Sequence, residues 1–341
     1  MSFSNLRSDT ISSNNQEPVL NIVIIGCGMI AGGYDEEHNG DTVLSHAGAF
    51  TRHPGFHIVG CVEPNDTRRK TFMNYWKIEA GFKDIDSLLE SDISFDIASI
   101  CSPTPDHAVI LEKLLKSSVK AVFCEKPLTS SLAHSKSMVE AYEAENRLLA
   151  VNYMRRWDVA LIDLKKQIEA QEWGALQSAI GHYPKGLLSN GSHGIDLFQY
   201  LFGPLKPLSV LRCNHAESVS DPEIDVVLST DYGALVYMIS LDHKCYTHFE
   251  LQLFMEKGQV TLESSGRTLR LRHIKQDEHY PAYRILTKGK WLETGFDQMI
   301  YSAIDGLYKA VAMSEPLVST GHSALSAQRV CEDILSLRPL T

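Results

Sequence analysis

A glycine-rich turn, Gly26-Cys27-Gly28-Met29-Ile30-Ala31, directly follows an apolar run at residues 19–25. The types and spacing suit a phosphate-bearing ligand. The first glycine permits a tight turn, the second lets the backbone approach a pyrophosphate, and a small third position lets helix and strand pack closely. A helix starting there presents free N–H groups and its positive dipole end to the phosphates. Met29 and Ile30 are therefore counted with Gly26, Gly28 and Ala31 as cofactor-binding. Glu63 closes the second apolar run, where a carboxylate accepts hydrogen bonds from the adenosine ribose hydroxyls. It would repel a 2′-phosphate, which favours NAD, while the neighbouring Arg68 and Arg69 leave NADP open.

The elements that must hold this turn are legible from the pattern. Short apolar runs at 19–25, 57–62, 96–101, 120–124 and 148–153 read as strands. They are separated by helical stretches at 65–76, 87–90, 105–116 and 131–146, so the N-terminal half reads as a parallel sheet with crossover helices. From about residue 155 the texture changes. One helix (159–171) precedes a strand at 175–183 and a short helix at 193–202. Strands at 208–214, 224–229, 234–241, 246–254, 259–262 and 268–272 follow without intervening helices, and helices at 297–313 and 323–337 end the chain. The expected fold is an α/β Rossmann domain followed by an α+β domain with a largely antiparallel open sheet. The division expected is a polar tail at 1–18, a dinucleotide domain at 19–153 and a substrate and oligomerisation domain at 154–341. A polar stretch at 33–41 lengthens the first strand–helix connection; it is read as a surface insertion in preference to a flap over the cofactor.

Composition narrows the function classes. The chain has 341 residues and a net charge of −10, against the clustered basic excess that a nucleic-acid footprint needs. No apolar run approaches the roughly 20 residues that span a bilayer, and the N-terminus lacks a signal-peptide pattern. Neither nucleic acid nor membrane is expected as a partner, and the expected location is the cytoplasm. Seven cysteines with no C-x-x-C spacing read as small buried hydrophobes in a reducing compartment. His243, Cys245 and His248 look like a metal cluster, but on a strand His248 would face away from the other two, so no metal is expected.

Four further strings carry a resemblance: Cys101-Ser102-Pro103-Thr104-Pro105-Asp106-His107, Cys124-Glu125-Lys126-Pro127, Asn152-Tyr153-Met154-Arg155-Arg156-Trp157, and Gly191-Ser192-His193-Gly194-Ile195-Asp196. With the glycine turn, their order and spacing resemble the glucose–fructose oxidoreductase/inositol dehydrogenase (Gfo/Idh/MocA) family, from residue 19 onward.

The resemblance implies an NAD(P)-dependent oxidoreductase that moves hydride between nicotinamide C4 and a ring hydroxyl or ketone of a sugar, cyclitol or sugar nucleotide. Lys126 and His193 match the proton-handling pair. Ser102, Pro103, Thr104, His107, Glu125, Pro127 and Lys126 itself match the cofactor border, with Pro127 a candidate for a cis peptide. Arg156 matches a substrate-contacting arginine; Arg155 reads equally well as a substrate contact or a salt bridge. Asp196, which could orient His193 or cap its helix, is with Tyr183, Lys185 and Asn190 a further candidate substrate contact. A homodimer or homotetramer is implied. Many members carry an aspartate four residues before the histidine, where this chain has Ser189. Two alternatives stand beside this reading: an NAD-dependent glycosidase of the same family, and a non-catalytic dinucleotide sensor. Retention of both Lys126 and His193 speaks against the sensor.

Overall fold

The computed structural model describes residues 18–36, 42–214 and 221–337. Six strands form an all-parallel sheet: Leu20–Ile25 (β1), Phe56–Val62 (β2), Ala80–Phe82 (β3), Ile97–Ile100 (β4), Ala121–Cys124 (β5) and Leu148–Val151 (β6). Their spatial order is β3-β2-β1-β4-β5-β6. The apolar runs are continuous because helices cover both faces, leaving no solvated side to alternate toward. Strand order reverses between β1 and β4, which opens the crevice where such sheets bind ligands, at the carboxyl ends of the strands. The two strand exits touch there: a Cβ on Gly26 would lie 2.6 Å from the Ser102 nitrogen.

Two elements of this sheet lie outside the expectation. The strand Ala80–Phe82 is too short to show a period, and Gly81 belongs there because a Cβ would strike the Met73 sulfur. The helix His46–Arg52 begins at Ser45, whose hydroxyl accepts from the Gly48 N–H. Of the polar stretch at 33–41, residues 37–41 lie outside the described residues. Its first part is structural. Asp35 is buried and accepts from the backbone N–H groups of Leu44 and Ser45 and from the Ser45 hydroxyl. This carboxylate therefore brackets the start of the 46–52 helix, which is more than a bland surface insertion would do.

The second sheet contains Leu176–Pro184 (β7), Leu205–Asn214 (β8), Glu223–Thr230 (β9), Leu235–Leu241 (β10), Glu250–Met255 (β11), Gly258–Glu263 (β12), Thr268–Gln276 (β13), Arg284–Leu286 (β14) and Lys290–Glu293 (β15). The order is β14-β13-β12-β11-β7-β10-β9-β8, with β15 on β13; β7 and β10 pair parallel and the other pairs are antiparallel. Burial alternates along β9 and β10, so one face packs and the other stays open. The strand expected from residue 246 begins at Glu250, and residues 243–245 form a turn, so strand alternation does not order His243, Cys245 and His248. His243 meets Glu223 and Asp242 at the surface, while His248 lies beside Glu250 and the His182 ring.

The last two helices return across the expected boundary at 153/154. Met299–Met313 packs on the first sheet against Phe50, Phe56 and Trp157, and Gly55 is required where the Tyr308 ring presses on the chain. Gly321–Leu337 packs on the helices Leu132–Ala144 and Ser192–Phe202, in a core continuous from Ile100 through Tyr153 to Phe198 and Ile334. Among the described residues no helix is long and apolar enough to cross a membrane.

Candidate active site

The glycine turn has the geometry its residue types suggest. Gly26 takes φ +91, a left-handed conformation open to glycine, and the space a Gly28 Cβ would enter is empty to 4 Å. The chain then enters a π-helical turn, Met29–Gly33, in which Gly32 and Gly33 donate to the Gly28 carbonyl. Met29 is exposed, Ile30 half-buried and Ala31 buried. The tightest packing falls one residue later than expected, where a Cβ on Gly32 would strike Trp76 and Phe72. Glu63 is buried beside the turn and accepts from the N–H groups of Cys27 (3.1 Å) and Asn65 (2.9 Å). Arg69 is engaged by the Glu63 carbonyl and Asp66, whereas Arg68 is exposed, 3.6 Å from the Glu63 carboxylate.

Across the crevice the Ser102 hydroxyl is buried without a hydrogen-bond partner, and Pro103 caps the helix Thr104–Leu114. An open cradle at Gly28, a carboxylate at the second strand's end and an orphaned hydroxyl opposite are what a dinucleotide needs; these residues fit that group. His107 plays a different part. Both its ring nitrogens face carbonyls, Nε2 that of Ser102 and Nδ1 those of Pro127 and Leu128, so it ties two strand exits together.

At the exit of β5, Glu125 and Lys126 diverge. Glu125 turns inward, where its Oε1 lies 2.8 Å from His46 Nε2 and accepts from Asn152 Nδ2 at 2.7 Å. His46 Nδ1 meets the Ser99 hydroxyl at 2.7 Å. Burial disfavours the His46 imidazolium, but the Cys101 sulfur and Glu125 outweigh it and raise its pKa to about 10. Burial likewise works against the Glu125 carboxylate, yet His46, Asn152 and Lys126 hold it below the usual range. Lys126 points to the cleft and donates to the Ser189 carbonyl at 2.6 Å; the Lys126–Pro127 bond is cis. Burial lowers its proton affinity, Glu125 and Asp221 raise it, and Arg155 and Lys185 lower it again.

His193 sits in the first turn of the helix Ser192–Phe202, 7% exposed, its ring edge-on to Tyr153 at 5.5 Å. Nδ1 has no partner. Burial, then the charges of Lys126 and Arg155, push its pKa well below the ordinary histidine value, so the ring is neutral at pH 7. The two arginines part company. Arg156 Nε lies 2.9 Å from both oxygens of buried Asp196, and Nη1 donates to the Val318 carbonyl. Burial lifts Asp196 to about 6 against the pull of Arg156. Arg156 and Asp196, expected beside the substrate, thus hold each other. Arg155, expected equally as a salt bridge, has none within 4 Å among the described residues; its Nε is buried and unpaired, and its guanidinium stacks 3.7 Å from the Phe249 ring.

Tyr183, another expected contact, is fully buried and exchanges hydrogen bonds with the Ile224 backbone. Lys185 is exposed with φ +61, and the Asn190 N–H closes the 187–191 turn onto the Gly186 carbonyl. The carboxylate missing at Ser189 has a neighbour from elsewhere in the chain. Asp221 accepts from the N–H groups of Leu188 (2.6 Å) and Ser189 (2.8 Å), and fills the space above Gly186. Sequence reading overlooked His46, Ser99, Asp221 and Phe249. Glu125 and Asn152, in the Cys124–Pro127 and Asn152–Trp157 strings, were the signals toward the buried network. A cleft of about 830 Å³ runs between Lys126, Ser189 and Asp221 on one side and Gln328 and Glu332 on the other.

The described geometry has counterparts among known proteins. Residues 20–153 match the model of the GFO_IDH_MocA oxidoreductase family, NAD-binding Rossmann fold. The chain is 32% identical over 278 residues to an inositol 2-dehydrogenase of Acidothermus cellulolyticus, covering 76% of this chain and 77% of that one. An uncharacterized oxidoreductase of Schizosaccharomyces pombe is 30% identical over 169 residues, 43% of this chain and 45% of that protein, so the chain spans under half of that relative. The WlbA dehydrogenase from Bordetella pertussis, solved with NADH and UDP-GlcNAcA, shares the fold at TM-score 0.76 and 15% identity, covering 95% of this chain and 99% of that one. With a relative at this identity matched over 77% of its length and the dinucleotide model over the first sheet, the chain belongs to the Gfo/Idh/MocA family of NAD-binding oxidoreductases.

Proposed function

We propose that the protein is a dehydrogenase or reductase acting on a ring CH–OH or C=O of a sugar, cyclitol or sugar nucleotide, using NAD in preference to NADP. The observation that carries this is that Lys126, from a strand end of the first sheet, donates to the Ser189 carbonyl in the turn that leads into the helix bearing His193. When bound, the nicotinamide supplies a two-electron hydride acceptor at C4. Lys126, its ammonium destabilised by burial, accepts the hydroxyl proton as the substrate carbon gives up hydride with its electron pair. His193, kept neutral, offers the unpartnered Nδ1 as a second proton site and hydrogen-bond partner. Glu125, fixed by His46 and Asn152, holds the strand end from which Lys126 projects. The Glu63 carboxylate beside the glycine turn supports the NAD preference. The reading also includes a homo-oligomer through the open face of the second sheet, where Leu208, Leu211 and Trp291 stand exposed. The test is absorbance of NADH while NAD or NADP is offered with a panel of sugars, cyclitols and sugar nucleotides. Turnover with NAD that disappears in Lys126→Ala, with cofactor binding retained, supports the reading. Absence of turnover across the panel, with dinucleotide bound, overturns it.

A further inference from the structure

Two cations beside the Lys126–His193 pair have no carboxylate of their own. Arg155 is buried, yet its Nε finds no acceptor, and among the described residues no acidic group comes within ion-pair distance. The acids whose fields it feels stand beyond ion-pair distance: Asp158 caps the helix Val159–Glu169 through Oδ1, which accepts from the N–H groups of Ala160 and Leu161 while Oδ2 keeps no hydrogen-bond partner, and Asp196 holds Arg156. Burial brings Arg155 down to about 10, which leaves it charged at neutral pH. Its guanidinium is fixed against Phe249, and the same ring lies beside Gly194, the residue after His193. Nε lies beside Gly266, and the guanidinium charge acts on His193. Native interiors rarely leave such a group without a partner unless a ligand supplies it.

The second cation is Lys185. It has no ion-pair partner among the described residues and is held at φ +61 between Pro184 and Gly186. A non-glycine residue in the left-handed region is strained, and strain of this kind concentrates where a side chain must be aimed. The Asp221 carboxylate over Gly186 and the hydrogen bonds of the 187–191 turn hold that backbone in place. Lys185 precedes the 187–191 turn whose Ser189 carbonyl accepts from Lys126, Arg155 reaches the His193 helix through Phe249, and the charges of both act on Lys126. A neutral polyol would leave this region with uncompensated positive charge. An anion would satisfy the Arg155 fork, and it would screen Lys126 from two like charges as the substrate settles.

We infer that the substrate carries an anionic group, a carboxylate or a phosphate, close to the carbon that exchanges hydride, and that Arg155 and Lys185 bind it. The inference rests on the dehydrogenase reading for the identity of that carbon, but the binding step can be measured without turnover. Calorimetry on the protein–NADH complex would compare hexoses, the matching hexuronates and the matching hexose phosphates. The same panel would be scored for NADH formation from NAD. The expected result is that one anionic series binds and turns over at least about 30-fold better than its neutral parents. Which of the two series does so identifies the source of the charge. In the calorimetric titration Arg155→Gln should weaken the favoured anionic series at least about 10-fold more than its neutral parents, and Arg155→Lys should restore part of that difference. Lys185→Asn, which keeps a residue tolerant of the left-handed backbone, tests the same point at an exposed site where folding is not at stake. Neutral sugars that bind and react as well as the acids, or an Arg155→Gln loss equal for both classes, would overturn the inference while leaving the dehydrogenase intact. Arg155-dependent binding of the anions with no NADH formed from any compound would sustain the inference and sink the dehydrogenase reading instead.

Discussion

His46 Nε2 lies 2.8 Å from Glu125 Oε1, inside the carboxyl edge of the first sheet and shielded from solvent. The imidazole comes from a helix that Asp35 and Ser45 hold in place, the carboxylate from the residue before Lys126. Ser99 and Asn152 complete the row at the histidine and carboxylate ends. Such a pair is stable only where hydrogen bonds offset the burial, and here both His46 ring nitrogens and Glu125 Oε1 have partners. Its effect is to fix the strand end that presents Lys126 to the cleft.

Replacing His46 by Leu should leave Glu125 buried without its ion partner and cost about 3 kcal/mol of unfolding free energy. The pH dependence has a defined sign. The folded-state pKa of His46 is raised to about 10, above the ordinary 6.5, so its stabilisation is complete below pH 6.5 and is lost as pH rises toward 10. The gap in thermal midpoint between wild type and His46→Leu should therefore narrow between those limits. A gap that stays constant or widens would show that no imidazolium is present.

Lys126→Ala should lower kcat about 10²- to 10⁴-fold with NAD affinity changed little, because the ammonium acts on the proton and not on the dinucleotide cradle. His193→Ala should lower kcat in the same sense. His193 titrates far below pH 6.5 in the fold, so it contributes no limb to the kcat/KM profile between pH 6 and 9. A limb in that range which vanishes in His193→Gln, and not in Lys126→Ala, would contradict the assignment.

Asp221→Asn keeps one of the two acceptors for the 187–191 turn and removes one negative charge from the surroundings of Lys126. Asp221 raises the proton affinity of Lys126, so the alkaline-rising limb of kcat/KM for oxidation should move to lower pH. Arg155→Gln removes a positive neighbour and should move the limb the other way. Opposite displacements in the two variants, read from full pH profiles, would exclude a purely structural role for either residue.

Gly26→Ala and Gly28→Ala separate fold from cofactor. Gly26 has φ +91 and a Cβ would sit 2.6 Å from the Ser102 nitrogen, so alanine there should destabilise the chain by about 2 kcal/mol or more. At Gly28 a Cβ meets nothing within 4 Å, and the backbone lies in the ordinary extended region. Gly28→Ala should fold normally and bind NAD at least about 10-fold more weakly, because the methyl group enters the space meant for pyrophosphate. Thermal denaturation paired with NADH fluorescence titration distinguishes the two.

Local signals determined the first sheet, the glycine turn and the residues at its strand ends. Apolar period, glycine placement and the residue closing each strand are properties of short segments, and a parallel sheet exposes its loops at one edge by rule. The Glu-Lys-Pro and Ser-His strings were legible for the same reason, each lying within a few residues of chain. What the sequence could not say is which charged group meets which. Arg155 and Arg156 are adjacent and chemically alike, yet the 3-10 turn Met154–Trp157 sends one to Asp196 and the other onto Phe249. Asp221 reaches the turn at Ser189 from 32 positions away, and Glu125 meets His46 across 79. Those choices depend on how the two sheets and the returning C-terminal helices pack, because burial and charge pairing are decided by three-dimensional neighbours that no local pattern encodes.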